Sequence, residues 1–221
     1  MRMRKKKHGA ERIEACADIL IKNPELLIGD PTQPFADKDK LLCLEIGCGK
    51  GNFSVGMTEK YPEINLIAME KVADVCCVAL EKAMACADRR TDNLRFIIGD
   101  AEKLCEWFPP HSIDRIYLNF SDPWPKSGHA KRRLTHRNFL LRYKSLLKEG
   151  GELIFKTDNV GLFDFSLEEF EALGLDIIWQ TRDLHNSERA GDNVMTEYEK
   201  NFSEKGFPIC SAHVRFPGGE S

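Results

Sequence analysis

Short apolar runs alternate along this chain with longer segments in which apolar residues recur at helical spacing. Continuous apolar runs of this length are typical of strands that are covered on both faces of a sheet. The predicted strands are 41–46, 65–69, 94–98, 113–119, 152–156, 175–181 and 209–216. The segments between them predict one helix that ends near residue 61 and further helices at 73–89, 101–107, 135–148 and 162–172.

This alternation predicts an α/β fold, a Rossmann-like, doubly wound, mostly parallel sheet of seven strands. Sheets of this kind bind ligands at the carboxyl ends of their strands. At 221 residues the chain is long enough for one substantial core and too short for two large ones. We therefore predict a single domain at 41–221, preceded at 1–40 by a basic N-terminal extension and a proline-containing linker.

Composition narrows the class of protein further. The apolar share of 42% and the charged share of 30% are ordinary for a soluble globular protein. No apolar run is long enough to span a membrane, and the basic N-terminus lacks the apolar stretch of a secretion signal, so we expect a cytoplasmic protein. The eight cysteines form no C-x-x-C pair, which favours free thiols and predicts no metal site.

The net charge of −3 hides a strong segregation of charge. Residues 1–8 carry five Lys or Arg and no acid, and residues 123–148 carry eight basic residues, again with no acid. A solvated face rarely excludes one sign of charge over such a length, so the second segment indicates a polyanionic partner.

A glycine-rich loop and two acidic residues follow the first three predicted strands. Glu45-Ile-Gly-Cys-Gly-Lys-Gly51 lacks the third glycine of a dinucleotide fingerprint, and it is similar to the first motif of class I S-adenosylmethionine-dependent methyltransferases. Glu70 ends the second strand, where an acid can accept hydrogen bonds from both ribose hydroxyls of the cofactor. Asp100 ends the third strand, where it could contact the adenine amino group. An acid at a strand end is by itself more often a helix N-cap, but three such features in succession favour the cofactor pocket.

Four further motifs resemble one family, the bacterial tRNA (guanine-N7-)-methyltransferases, over about residues 41–216. They are Asp122-Pro-Trp-Pro-Lys126, His129-Ala-Lys-Arg-Arg-Leu-Thr135, Lys156-Thr-Asp158 and Thr196-Glu-Tyr-Glu199. The chain departs from the family's pattern at Ser121, where proline is frequent, and at Gly128, where many members carry a basic residue. Neither departure removes a reacting group.

The resemblance implies a class I methyltransferase fold and methyl transfer from S-adenosylmethionine to N7 of guanine 46 in tRNA, with S-adenosylhomocysteine as the product. It implies a cofactor pocket formed by Glu45, Gly47, Gly49, Gly51, Glu70, Asp100 and Asp122, with Asp122 also catalytic. It implies substrate contacts from Lys126, Asp158, Thr196, Glu197, Tyr198 and Glu199, and RNA contacts from Gly128, His129, Ala130, Lys131, Arg132 and Arg133. The expected partner is tRNA and not DNA, and the expected assembly is a monomer or homodimer.

Several alternatives remain open at this stage. Asp158-Asn159 also fits a helix cap, Thr196-x-x-Glu199 fits a capping box, and Trp124 fits either core packing or base stacking. For the whole protein, one alternative is an amino-group methyltransferase, whose motif has the order Asn/Asp-Pro-Pro-aromatic. The other is a non-catalytic RNA-binding protein on a methyltransferase fold.

Overall fold

The computed structural model describes residues 7–86 and 91–217, and the chain divides into two compact units. The first unit holds the residues up to Pro109 together with Val194–Glu197. The second unit holds Pro110–Asn193 and the residues from Tyr198 onward.

Three parallel strands form the centre of the first unit. They are β1 (Leu41–Ile46), β2 (Ile64–Glu70) and β3 (Leu94–Ile98), and β2 pairs with both of the others. The helices are α1 (Gly9–Glu14), α2 (Asn52–Lys60), α3 (Ala73–Ala85) and α4 (Leu104–Trp107). Most residues of the three strands are buried, as expected for parallel strands that are covered on both faces.

The described part of the predicted N-terminal extension packs within the first unit. Arg12 donates two hydrogen bonds of 2.6 Å to the carboxylate of Glu81 on α3, and the Ile21 amide donates to the Phe96 carbonyl at 2.8 Å. Leu27 and Phe35 are buried. Residues 7–40 therefore contribute side chains to the core of this unit, whereas the basic residues Arg2, Arg4, Lys5 and Lys6 lie outside the described part of the chain.

Four strands form the sheet of the second unit. β4 (Ile113–Asn119) pairs in parallel with β5 (Leu147–Thr157), and β7 (Cys210–Arg215) lies antiparallel between β5 and β6 (Asp176–Thr181). The helices are α5 (Arg137–Leu146), α6 (Val160–Ala172) and α7 (Glu197–Ser203), of which α7 begins with the last residue of the first unit. Phe155, Phe163 and Phe170 pack against one another in the core, with ring centroids 6.3 and 6.5 Å apart.

All seven strands belong to one mostly parallel sheet, in the order β3-β2-β1-β4-β5-β7-β6, which confirms the predicted fold class. α5 is shorter than the helix predicted at 135–148. At its start the His136 side chain is the N-cap and accepts a hydrogen bond from the Asn138 amide, and at its end Leu147 already belongs to β5. The helix predicted at 73–89 ends at Ala85, and residues 87–89 of that prediction lie outside the described residues. Across the described residues, no helix combines the length and apolar character that a membrane span needs.

Candidate active site

The glycine loop between β1 and α2 has a backbone that favours glycine at three positions. Gly47, Gly49 and Gly51 have φ angles of 82°, 57° and 77°, in the left-handed region. A side chain at Gly51 would place its Cβ 2.8 Å from the Cβ of Ala79 on α3, so this glycine allows α2 and α3 to pack closely. At Gly47 and Gly49, no heavy atom of the described residues other than the chain neighbours lies within 4 Å of such a Cβ, so a ligand can approach the backbone there.

Glu45, at the end of β1, is buried beneath this loop. Its carboxylate accepts a hydrogen bond of 2.5 Å from the Ser54 hydroxyl in the first turn of α2. The strand therefore holds the start of the helix through a buried carboxylate, which fixes the position of the loop between them.

Glu70 and Asp100 lie at the carboxyl ends of the adjacent strands β2 and β3. The Glu70 carboxylate accepts hydrogen bonds from the amides of Gly49 at 3.1 Å and Val72 at 2.9 Å. Asp100 accepts from the Glu102 amide, so it caps the short helix that follows, and it also forms an ion pair of 2.5 Å with Lys71. The capping role considered for an acid at a strand end therefore applies to Asp100.

These features of the first unit fit S-adenosylmethionine. The open backbone at Gly47 and Gly49 can receive the amino acid and sulfonium portion without a phosphate-binding cradle. Glu70 and Asp100 are both partly exposed, and carboxylates are suited to accept hydrogen bonds from ribose hydroxyls and from an adenine amino group.

In the second unit, the segment after β4 forms a strained loop that carries Asp122. Phe120 and Trp124 have φ angles of 52° and 41°, which are uncommon for residues with bulky side chains. The Phe120 amide donates to the Lys156 carbonyl at 2.8 Å, so the chain stays joined to β5 as it leaves the strand. Asp122 itself is exposed.

Trp124 is a half-buried loop residue and not part of the core. Its ring contacts His129 edge to face, with centroids 5.7 Å apart, and the Arg132 guanidinium lies 4.9 Å from its centroid. Of the two alternatives for Trp124, core packing does not apply to this arrangement, and stacking on a base stays a prediction.

The basic segment 123–148 is not free of acidic neighbours once the chain is folded. Arg137 forms an ion pair of 2.8 Å with Glu169 on α6, and Lys148 pairs at 2.8 Å with Asp114 on β4. Arg133 points its guanidinium at the backbone carbonyls of the Asp122 loop. Within the described residues no ion pair involves four others of this segment, Lys126, Lys131, Arg132 and Lys144, and all four are exposed.

A buried ion pair joins the end of β5 to α7. The Lys156 ammonium donates to Glu199 at 2.8 Å and to Asn193 at 2.9 Å, and Glu199 also accepts from Asn193 at 2.6 Å and bonds to His185 at 2.9 Å. The side chains of Lys156 and Glu199 are 4% and 0% exposed. Burial alone would raise the pKa of Glu199, but the Lys156 charge and the hydrogen bonds lower it below its usual value.

Three side chains of the protein therefore occupy the Glu199 carboxylate, for which the resemblance implies a substrate contact, and that contact stays a prediction. Its neighbour Tyr198 is exposed and donates from its hydroxyl to Asp158 at 3.0 Å. Burial, and then this hydrogen bond, raise the pKa of Tyr198 to about 12. Asn159 forms the helix cap considered for 158–159, since its side chain accepts a hydrogen bond from the Leu162 amide. Asp158 accepts from the Tyr198 hydroxyl instead.

The remaining predicted residues are distributed over both units. In the first unit Glu197 forms an ion pair of 2.7 Å with Lys50 of the glycine loop, and α7 begins directly after Thr196. The Glu199 carboxylate that a capping box would use is bonded instead to Lys156, His185 and Asn193. In the second unit Gly128 to Arg132 belong to a short 3-10 helix, Ser127–Arg132, without buried residues. Sequence reasoning missed Asn193 and His185, and it named Lys156 only within a motif, although a lysine in the apolar run of β5 was a detectable signal.

The fold, together with a family match, identifies the chain as a class I S-adenosylmethionine-dependent methyltransferase. A family model described as "Putative methyltransferase" matches residues 39–212, and the chain belongs to this family. This result confirms the family resemblance that the motifs indicated.

Solved methyltransferases share the fold at low sequence identity. The 16S rRNA methyltransferase KamB is 13% identical with a TM-score of 0.61, and the match covers 81% of this chain and 89% of KamB. An antibiotic-related methyltransferase is 16% identical with a TM-score of 0.58, over 97% and 96% of the two chains. Phosphoethanolamine N-methyltransferase 2 of Haemonchus contortus, solved with S-adenosyl-L-methionine, is 13% identical with a TM-score of 0.52 over 89% of this chain. The present chain spans about half of that enzyme, 53% of its length.

Proposed function

We propose that this protein methylates N7 of guanine in tRNA, at position 46 of the variable loop, with S-adenosylmethionine as the methyl donor. The observation that carries the proposal is the loop at the end of β4, where exposed Asp122 precedes a half-buried Trp124 that is flanked by Arg132 and His129. A carboxylate, an aromatic ring and cations grouped in this way are suited to a purine in an unpaired region of RNA.

The residues of the first unit would hold the methyl donor. Gly47 and Gly49 would border it, Glu70 would accept hydrogen bonds from the ribose and Asp100 from the adenine. Bound S-adenosylmethionine supplies a methyl group on a sulfonium, a leaving group that needs no general acid.

The proposed acceptor atom requires no general base. Guanine N7 presents an unprotonated lone pair in the ring plane, so no proton has to be removed before it is methylated. The residues of the chain then have to align the base, and orientation alone is worth roughly 7–11 kcal/mol of barrier. Asp122 or Asp158 would accept hydrogen bonds from N1–H and N2–H of guanine and offset the positive charge that develops on the ring.

Four exposed cations that form no ion pair within the described part of the chain support an RNA substrate. Lys126, Lys131, Arg132 and Lys144 are exposed and close in sequence to the Asp122 loop, so phosphate contacts from this segment would position the tRNA. That KamB is described as a 16S rRNA methyltransferase is consistent with this fold acting on folded RNA. Cytoplasmic location and a monomeric or homodimeric assembly belong to the same proposal.

Methylation of undermodified tRNA, followed by nucleoside analysis, also tests two other functions. An amino-group methyltransferase would modify an exocyclic nitrogen, and the order Asp-Pro-Trp-Pro argues against it because its motif has both prolines before the aromatic residue. A non-catalytic RNA-binding protein would have no need of an intact glycine loop with Glu70 and Asp100.

The decisive experiment incubates undermodified tRNA with labelled S-adenosylmethionine and analyses the nucleosides of the product. The proposal expects labelled 7-methylguanosine, and it expects the Asp122→Asn variant to turn over much more slowly than the wild type even at saturating S-adenosylmethionine. Labelled 1-methylguanosine or N6-methyladenosine would contradict the proposed acceptor. Full turnover by Asp122→Asn would remove Asp122 from its proposed role.

A further inference from the structure

We propose that Arg133 is a positioning residue that fixes the Asp122 loop from within and is not an RNA contact; this inference rests on the proposed function. The family resemblance implied a phosphate contact for Arg133, as for its neighbours. In the folded chain its side chain points instead towards the loop on which Asp122 and Trp124 lie.

Two consecutive carbonyls of the loop receive hydrogen bonds from the same guanidinium. Nε of Arg133 donates to the Pro123 carbonyl at 3.0 Å, and Nη2 donates to the Trp124 carbonyl at 3.1 Å. The guanidinium also stacks on the ring of Phe165 on α6, with Cζ 4.3 Å from the ring centroid. The planar guanidinium can make all three contacts at once, whereas a lysine ammonium cannot stack and presents only a point charge.

The loop needs such an anchor because its backbone is in an unfavourable conformation. Trp124 lies at φ 41° and Phe120 at φ 52°, on either side of Asp122. Residues with bulky side chains hold left-handed backbone only where the surroundings fix it. Arg133 is itself held at the end of the 3-10 helix, where its amide donates to the Ala130 carbonyl at 3.0 Å and its carbonyl accepts from the His136 amide at 2.9 Å.

The adjacent arginine provides a matched comparison. Arg132 is exposed and its guanidinium lies over the ring of Trp124, whereas Arg133 is half-buried and donates to backbone carbonyls of the loop. Two neighbouring residues of the same charge therefore differ in role: Arg132 is available to phosphate, and Arg133 sets where the carboxylate of Asp122 stands.

Kinetics and salt dependence separate the two roles. We expect Arg133→Gln to lower kcat for tRNA methylation by 10- to 100-fold, since a displacement of about 1 Å at a catalytic group can cost 10²-fold. The slope of log binding constant against log salt should stay unchanged in Arg133→Gln and fall by about one unit in Arg132→Gln. Arg133→Lys should recover only part of kcat. If Arg133→Gln keeps kcat and lowers the salt slope by about one, Arg133 is a phosphate ligand and the proposal is wrong.

A fluorine spectrum tests the anchor without any RNA. The protein is labelled with 5-fluorotryptophan, and the Trp124 resonance is assigned with Trp124→Phe. Arg133→Gln should broaden or split this resonance as the loop samples other conformations, and Arg132→Gln should shift it while leaving it single and sharp. A single sharp Trp124 resonance in Arg133→Gln would overturn the proposal. If Arg133→Gln does not fold, Phe165→Leu is measured instead, because it removes the ring on which the guanidinium stacks. The Trp124 resonance should then broaden or split to a smaller extent. Because this readout needs no substrate, it decides the role of Arg133 even if wild-type protein makes no 7-methylguanosine.

Discussion

Replacing Lys156 by methionine removes the cation from a carboxylate that solvent does not reach. Glu199 is 0% exposed and receives hydrogen bonds from Lys156, Asn193 and His185. Without the Lys156 ammonium, the buried Glu199 carboxylate must either stay charged with only its bonds to Asn193 and His185 or take up a proton. Removing one partner of a buried pair costs about 3–5 kcal/mol of unfolding free energy.

The same strand offers a matched control for this substitution. Lys148 also lies on β5 and pairs with Asp114 at the same distance of 2.8 Å, but its side chain is 48% exposed. The solvated pair should contribute no more than about 1 kcal/mol, so Lys148→Met should change stability little. For a chain of this size the loss in Lys156→Met corresponds to a melting temperature lower by roughly 6–20 °C.

Urea unfolding and thermal unfolding of the two variants measure this difference, and pH adds a second test. The folded-state pKa of Glu199 is lowered, so the pair stabilises fully above the unfolded-state pKa of the carboxyl, and this stabilisation is lost as the pH falls through the folded-state pKa. Lys156→Met should lose that acid-dependent component. Equal destabilisation by Lys156→Met and Lys148→Met, with the same acid dependence, would refute the interpretation of this pair as a desolvated one.

Three further predictions concern the glycine loop, the cofactor pocket and a half-buried imidazole. Gly51→Ala should lower the melting temperature more than Gly47→Ala, because only Gly51 combines a positive φ with a tight contact to the next helix; equal effects in calorimetry would contradict this reasoning. Glu70→Gln should weaken S-adenosylmethionine binding by roughly 10- to 100-fold in titration calorimetry, as expected for loss of a hydrogen bond to a charged group, and unchanged affinity would exclude Glu70 from the pocket. Burial lowers the pKa of His213 to about 4, so stability should fall as the pH drops from about 6.5 towards 4 while the unfolded chain takes up the proton. His213→Gln should flatten this dependence, and an imidazole that titrates near 6.5 by NMR would show the reasoning to be wrong.

Local signals predicted the parts of the site that stand at the ends of strands. The glycine loop, Glu70 and Asp100 each follow a short apolar run, and parallel strands bring their carboxyl ends to one edge of the sheet. The position of these three features at one edge of the sheet therefore follows from a pattern that is visible along the chain, whereas the register of β1 with β2 and of β2 with β3 comes from the structure. The exposed position of Asp122 directly after β4 follows in the same way.

Partners distant in sequence were not predictable in this way. Glu199 lies 43 residues from Lys156, and nothing in a capping-box pattern indicates that its carboxylate points into the interior. A run of like charges likewise does not show that Arg132 and Arg133 make different contacts, because those of Arg133 depend on Phe165 and on two loop carbonyls.

The sequence by itself determined the order of strands and helices, the glycine loop and the acidic residues at the strand ends, since periodicity and backbone preference act over a few neighbouring residues. Only the tertiary structure decided which charges are buried and which are available to a ligand. Arg137 and Lys148 meet acids from elsewhere in the chain, while Lys126 and Lys131 stay exposed. The physical reason is that the free energy of a charged side chain depends on its distance from solvent and from opposite charges, and both are set by packing between distant segments.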